Sequence, residues 1–264
     1  MSLLTWLALR EPADTRARSV ALTEWLAAAL PDARPIRCVD LGSGSGANIR
    51  YFMSRLPAAQ QWLAVDRDPE LLAAGPPGTE KRSVELGTLD GGTLIAGRDL
   101  VTASALLDLV SPRWIEDLAH TCRAAGAAVL FALTYDGRSE CTPREPEDDV
   151  VLELFNAHQR ASDKGFGRAA GPDAPAIAAS SLTRAGYVVR RERSDWHLRP
   201  DEQDLQRALV SGWAEAASEQ SSAHAQLIGE WFRRRLSHIE AGRSHIVVGH
   251  EDLASVVSNH AGDA

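Results

Sequence analysis

Val39-Asp40-Leu41-Gly42-Ser43-Gly44-Ser45-Gly46-Ala47-Asn48 decides how this chain reads. An apolar run, Ile36 to Leu41, leads into it, and a helical pattern, Ile49 to Leu56, leads out. A strand that turns into a helix through three alternating glycines lets its backbone approach a ligand closely. The N-terminus of the following helix offers unpaired N–H groups to polar or anionic atoms. The stretch therefore reads as a βα loop that cradles a nucleotide-like ligand. The rest of the chain is then its support or its cover.

Working outward, strand and helix patterns alternate. Before the loop, Met1 to Arg10 predicts a short helix. Asp14 or Thr15 can cap a second helix, Arg16 to Leu30, with Val20, Leu22, Trp25, Leu26 and Leu30 on one face. After the loop, Gln61 to Val65, Arg82 to Leu86, Leu100 to Ser104 and Ala127 to Thr134 read as further strands. Helical patterns, Pro69 to Ala74 and Pro112 to Ala125, fall between them. The fifth strand is apolar throughout, as expected of a strand covered on both faces. This rhythm predicts an α/β fold, doubly wound, with a mostly parallel sheet. Beyond Tyr135 the rhythm breaks. Helical patterns (Val150 to Ser162, Ala174 to Ala185) and two strands (Gly186 to Arg193, Arg243 to Gly249) remain. The organisation expected is a single domain over 1–264. It has N-terminal helices in 1–34, a cofactor-binding half in 35–135, an inserted lid in 136–172 and a helical pair in 201–241 before the last strand.

Composition removes several function classes. The chain has 264 residues and a net charge of -8. An acidic balance disfavours nucleic acid and anionic membrane surfaces as partners. The longest apolar run, Ala127 to Leu133, is far short of the roughly 20 residues that a membrane span needs. Met1 to Arg10 is apolar but has no basic region before it and no small-residue cleavage site after it, so it does not read as a signal peptide. Cys38, Cys122 and Cys141 form no CxxC pair, which fits a reducing cytoplasm and offers no metal motif. Of the 28 basic residues only Lys81 and Lys164 are lysines, which draws attention to Lys164 inside a polar cluster.

The loop admits two ligands at this point. Gly42, Gly44 and Ala47 satisfy the dinucleotide pattern G-x-G-x-x-G/A. Asp40, two positions before the first glycine, stands poorly beside a pyrophosphate and well beside an ammonium. Asp66, at the end of the second strand, suits ribose hydroxyls with either ligand. Together they favour a nucleoside joined to an amino acid. On Asp40 to Gly46, Asp66, Asp90 and the strand Leu100 to Ser104, the chain resembles the class I S-adenosylmethionine-dependent methyltransferases. The resemblance covers roughly 35–135. It implies seven strands in the order 3-2-1-4-5-7-6, with the last antiparallel, and S-adenosylmethionine as cofactor. It further implies that Asp40 approaches the methionine ammonium, that Gly42, Gly44 and Gly46 pack against the cofactor, and that Asp66, with Arg67 beside it, holds the ribose. Asp90 would contact the adenine, and Ser104 and Ala105 would line the methyl side. Arg10, Asp14 and Arg18 read either as a surface ion network or, through Arg18, as a hold on the cofactor carboxylate.

Ligands of parallel sheets bind beyond the carboxyl ends of the strands. That makes Asp108, Tyr135 and Asp136 first candidates. In the inserted segment His158 continues the apolar face of Val150, Val151, Leu154 and Phe155. Gln159, Lys164 and Phe166 follow, next to two glycines, with the composition of a lid. The catalytic candidates are His158, Asp108 and Tyr135. The substrate candidates are Asp136, Phe155, Gln159, Lys164 and Phe166. Each has an ordinary alternative: His158 as a core histidine, Asp108 as a loop cap, Tyr135 as an aromatic closing the sheet. His245 and His250 fall on opposite sides of the last strand and make no metal pair. The function expected is methyl transfer to a nitrogen or oxygen of a small polar metabolite. The alternatives are a nicotinamide-dependent oxidoreductase and a non-catalytic nucleoside-binding subunit. The acceptor's identity and the oligomeric state stay open.

Overall fold

The computed structural model describes residues 1–56, 59–87 and 92–257. Asp90 lies outside the described residues. Strand β1, Ile36–Leu41, runs through the middle of the sheet. Its parallel neighbours are β2, Gln60–Asp66, and β4, Leu100–Ser104. Further out lie β3, Glu80–Ser83, and β5, Ala128–Thr142. Antiparallel to β5 runs β8, His245–Val257, which also pairs with β6, Tyr187–Arg193, and with β7, Trp196–Leu198. The order is β3-β2-β1-β4-β5-β8-β6. With the short β7 set aside, this is the expected 3-2-1-4-5-7-6.

Period-two alternation explains why two layers of helices cover the sheet. Ile36 and Cys38 face one layer, while Val39 and Leu41 face the other. Leu130 and Phe131 divide in the same way on β5. Against the Ile36 face pack α2, Val20–Ala27, α3, Ala47–Met53, and two long helices, α8, Gln203–Gln220, and α9, Ala225–Glu240. Against the Val39 face pack α5, Pro112–Ala125, and α7, Ala174–Arg184, through Ile115, Leu118, Ala178 and Leu182. No helix among the described residues is long and apolar enough to cross a membrane.

Three features differ from the sequence expectation. The N-terminal helix α1, Leu3–Ala17, runs on through Pro12 and ends at Arg18, which is extended. Ser19 sets that break. Its N–H donates to Asp252 and its hydroxyl caps α2 by accepting from the Leu22 N–H. Strand β5 continues through Asp136 to Thr142 by way of two register shifts against β8, so the first part of the expected lid is strand. Its polar side chains are held by partners: Asp136 pairs with Arg138, and the Ser139 hydroxyl donates to the Val247 carbonyl. Further along that segment lies α6, Asp148–Ala161, which packs on α8. Strand β3 starts earlier than expected. As an edge strand exposed along its length it carries no apolar pattern to read.

Candidate active site

The floor of the site is the loop between β1 and α3. Gly42, Gly44 and Gly46 all have positive φ, 65°, 52° and 80°. Gly46 is also needed for space, because a Cβ there would stand 2.4 Å from the Pro76 ring. Asp66, at the tip of β2, accepts from the Gly44 N–H at 2.8 Å and from the Asp68 N–H at 3.0 Å. These bonds lock the loop to the neighbouring strand and orient the carboxylate. On the other side, Ala105 just past β4 has φ of 51° although it carries a Cβ. Such strain persists where surrounding structure over-determines it, as at ligand sites.

Beneath the loop lies a buried polar trio. The Asn48 amide donates to Asp40 and accepts from Arg18. Thr102 donates to the same Asp40 oxygen at 2.7 Å. The second oxygen of Asp40 is buried without a partner, and so are Nε and Nη2 of Arg18. Burial pushes the Asp40 carboxyl up, against Thr102, Asn48, the nearby Ser43 hydroxyl and the charge of Arg18. Burial likewise pulls Arg18 below its usual value, opposed by nearby carboxylates that include Asp252 and Asp40. The Arg18 guanidinium lies over Tyr51, 4.1 Å from the ring centroid. A buried acid and a buried base, each with unmet hydrogen-bonding capacity, carry a desolvation cost unless a ligand completes them.

Above the floor opens a cleft of about 310 Å³. Its size falls at the lower end of small-molecule sites. Gly42, Gly44, Asp66, Arg67, Ser104, Ala105, Lys164 and Phe166 line it, as do Ser43, Ser45 and Asn48. Leu3, Leu7, Arg10 and Asp14 on α1 form its roof. Their spacing of four, three and four residues puts them on one helix face. Leu7 reaches down to the loop, within 3.1 Å of where a Gly44 Cβ would be. The roof is completed by the turn at 163–168. There the Asp163 carboxylate accepts from the Gly165, Phe166 and Gly167 N–H groups. The turn docks on 84–87: the Gly165 carbonyl lies 2.6 Å from a Cβ built on Gly87, and Phe166 meets the Trp114 edge at 5.7 Å. Of the inserted segment only Lys164 and Phe166 reach the cleft.

The remaining predicted residues stand elsewhere. Asp40 and Arg18 sit behind Asn48, and Gly46 packs on Pro76. Asp108, in the turn Leu107–Leu109, is buried with one oxygen unpartnered, between the lining residues Leu106 and Leu109. Burial pushes its carboxyl up to about 6, against the charge of Arg10 and bonds from backbone N–H groups. Tyr135 donates to Asn156 at 2.8 Å, and its ring meets Phe155 and His250. Burial raises the phenol above its usual value, so it stays neutral. Phe155 also meets Trp213 on α8. His158 and Gln159 lie on α6, away from the cleft lining. The His158 imidazole is 3.0 Å from Glu219 of α8, because α6 turns that face to α8. Asp136 is occupied by Arg138, which also pairs with Asp195. Sequence reading missed Leu3, Leu7 and Asn48. The signal for the leucines was their spacing with Arg10 and Asp14, which dividing α1 at Arg10 conceals.

No family model matches the chain, and no curated protein matches it. Among solved structures, a cyclopropane-fatty-acyl-phospholipid synthase-like protein from Lactobacillus casei aligns with 14% identity and a TM-score of 0.56, over 94% of this chain and 91% of that one. The YcgJ protein from Bacillus subtilis aligns with 11% identity and a TM-score of 0.49, over 91% and 100%. A putative sarcosine dimethylglycine methyltransferase from Galdieria sulphuraria aligns with 13% identity and a TM-score of 0.47, over 93% and 89%.

Proposed function

Since the chain has the class I methyltransferase fold, we propose that it is an S-adenosylmethionine-dependent methyltransferase acting on a nitrogen or oxygen of a small polar metabolite in the cytoplasm. One observation carries the cofactor assignment. Asp40 and Arg18, an acid and a base with unmet hydrogen-bonding capacity, flank Asn48 beneath the glycine loop. An α-amino acid zwitterion in the cleft complements that pair in charge through Asn48, the member of the trio that lines the cleft: the buried carboxyl of Asp40 favours the ammonium and the buried guanidinium of Arg18 the carboxylate. A pyrophosphate has no group for Asp40. Asp66 and Arg67, at the tip of the next strand, supply the ribose end.

With Asp66, Arg67 and the glycine loop holding it, S-adenosylmethionine would supply an electrophilic methyl group, the C–S electron pair staying on sulfur as the bond to the acceptor forms. The protein's part is alignment and exclusion of water. Leu3 and Leu7 cover the floor, and Ala105 and Leu106 border the side where the acceptor enters. We assign the acceptor's proton to Asp108, which is buried just behind the lining residues Leu106 and Leu109. With its carboxyl pushed up to about 6, it is mostly ionised at neutral pH yet basic enough to act. Tyr135 stays a neutral phenol and positions Asn156. The net charge of -8 supports a small-molecule acceptor over nucleic acid.

The test is to incubate the protein with S-adenosylmethionine and a panel of small amines, hydroxy compounds and carboxylates, and to quantify S-adenosylhomocysteine by mass spectrometry. Acceptor-dependent product that Asp66→Ala abolishes supports the assignment. Absence of both cofactor binding and product sinks it.

A further inference from the structure

Arg10 stands apart from the groups assigned to the cofactor. It lines the cleft at the end nearest Asp108 and His250, whose titration its charge affects. Its guanidinium is fixed on three sides. Nε and Nη2 donate to Asp14 at 3.0 and 3.2 Å. One ring, Trp196, lies 5.0 Å from its carbon, and a second, Trp6, lies 5.9 Å away. Asp14 is anchored in turn by the Trp196 indole N–H at 3.1 Å. The third nitrogen, Nη1, makes no hydrogen bond among the described residues. A fork held so firmly loses little side-chain freedom when it binds.

We propose that Arg10 anchors the acceptor and that the acceptor is a small carboxylate bearing the nucleophilic nitrogen or oxygen. This rests on the methyltransferase reading. A carboxylate matches the single free edge of the fork by a charge-assisted hydrogen bond. A cationic acceptor without an acid group meets the fixed charge of Arg10. A dianionic phosphate meets more repulsion than a monoanionic carboxylate from Asp14, which lines the same end of the cleft. The cofactor's own carboxylate is assigned above to the buried charge of Arg18, beneath the loop and behind Asn48. Arg67 and Lys164 do not compete for the acceptor, since they line the cleft with Asp66 and 84–86. Anchored at Arg10, the acceptor's nucleophile lies toward Asp108, which takes the proton released as the new bond to the methyl carbon forms.

The experiment uses the full chain saturated with S-adenosylhomocysteine. Matched sets of small carboxylic acids, their amides and the corresponding amines are titrated by ligand-observed NMR. The acids are expected to bind about ten-fold or more tightly than their amides, a preference lost in Arg10→Gln and partly kept in Arg10→Lys. Both variants should keep a cooperative thermal melt and still bind S-adenosylhomocysteine, which reports that they fold. Three results overturn the proposal: amines preferred over acids, no acid bound, or an acid preference that survives Arg10→Gln. A fourth is a large loss of S-adenosylhomocysteine affinity in Arg10→Gln with 5′-methylthioadenosine affinity unchanged, which would assign Arg10 to the cofactor carboxylate. Failure of the wild-type chain to bind S-adenosylhomocysteine at all would instead remove the methyltransferase reading itself.

Discussion

The floor of the cleft and its roof are held in different ways. The glycine loop is held by backbone geometry and buried hydrogen bonds: positive φ at three glycines, the Gly44 N–H on Asp66, and Asn48 and Thr102 on Asp40. Helix α1 is held by its side chains. Ala13 is its one buried residue, Leu3 and Leu4 are 54% and 45% exposed, and ion pairs such as Arg50–Glu11 and Arg16–Glu202 tie it down. Exposed pairs of this kind contribute little each. A segment with few buried apolar contacts opens at lower free energy than the core beneath it. Under the proposed function the comparison divides two tasks: the rigid floor would fix the cofactor, and the looser roof would cover it and select the acceptor.

Breaking the floor should have the largest effect on stability. Gly46→Ala would force a Cβ to within 2.4 Å of Pro76 at a φ of 80°. The expected cost is about 3 kcal/mol, from left-handed strain and overpacking together. Differential scanning calorimetry should show a Tm lower by roughly 10 °C. An unchanged Tm would mean the loop is not rigid.

Asp108 sits between the two regions and gives a pH signature. Its carboxyl is raised to about 6, so the folded state binds a proton that the unfolded state releases near pH 4. Its contribution to stability therefore falls as pH rises from about 4 to about 6 and is level above that. The fall is at most roughly 3 kcal/mol. Urea titrations at several pH values should show this slope in the wild type and lose it in Asp108→Asn. Under the proposed mechanism kcat/KM rises with pH and levels off above about 6, an inflection the variant lacks. Parallel stability slopes would contradict the burial of Asp108.

Changes to the roof should separate binding from stability. Leu7→Ala removes a half-buried side chain over Gly44. Unfolding free energy should fall by less than about 1 kcal/mol, while S-adenosylhomocysteine affinity falls about three- to ten-fold. A larger loss of stability with no loss of affinity would make α1 a structural helix instead of a cover. Hydrogen exchange should be faster in α1 than in β1, and slowed in α1 by the ligand.

The same contrast explains what was legible in the sequence. The floor announces itself because glycines with positive φ, an apolar strand and an acidic residue at a strand tip are local signals. The sheet order followed from those signals with the resemblance they support. The roof is not local. The inward face of α1 mixes Leu3 and Leu7 with Arg10 and Asp14, so it carries no apolar stripe to detect. Asn48 looked like an ordinary first-turn residue, and only tertiary structure places Arg18 and Asp40 on its two sides. The polar run Asp136 to Thr142 read as the start of a lid because it carries no apolar alternation, although it continues β5 and pairs with β8. His158 read as a site residue because sequence cannot distinguish a helix face turned to α8 from one turned to a ligand.

The most direct test of the account is a calorimetric titration of the full chain with S-adenosylhomocysteine, with NADH titrated in parallel. The account predicts one S-adenosylhomocysteine site per chain, lost in Asp66→Ala, and no heat from NADH. Binding of NADH without binding of S-adenosylhomocysteine would contradict it.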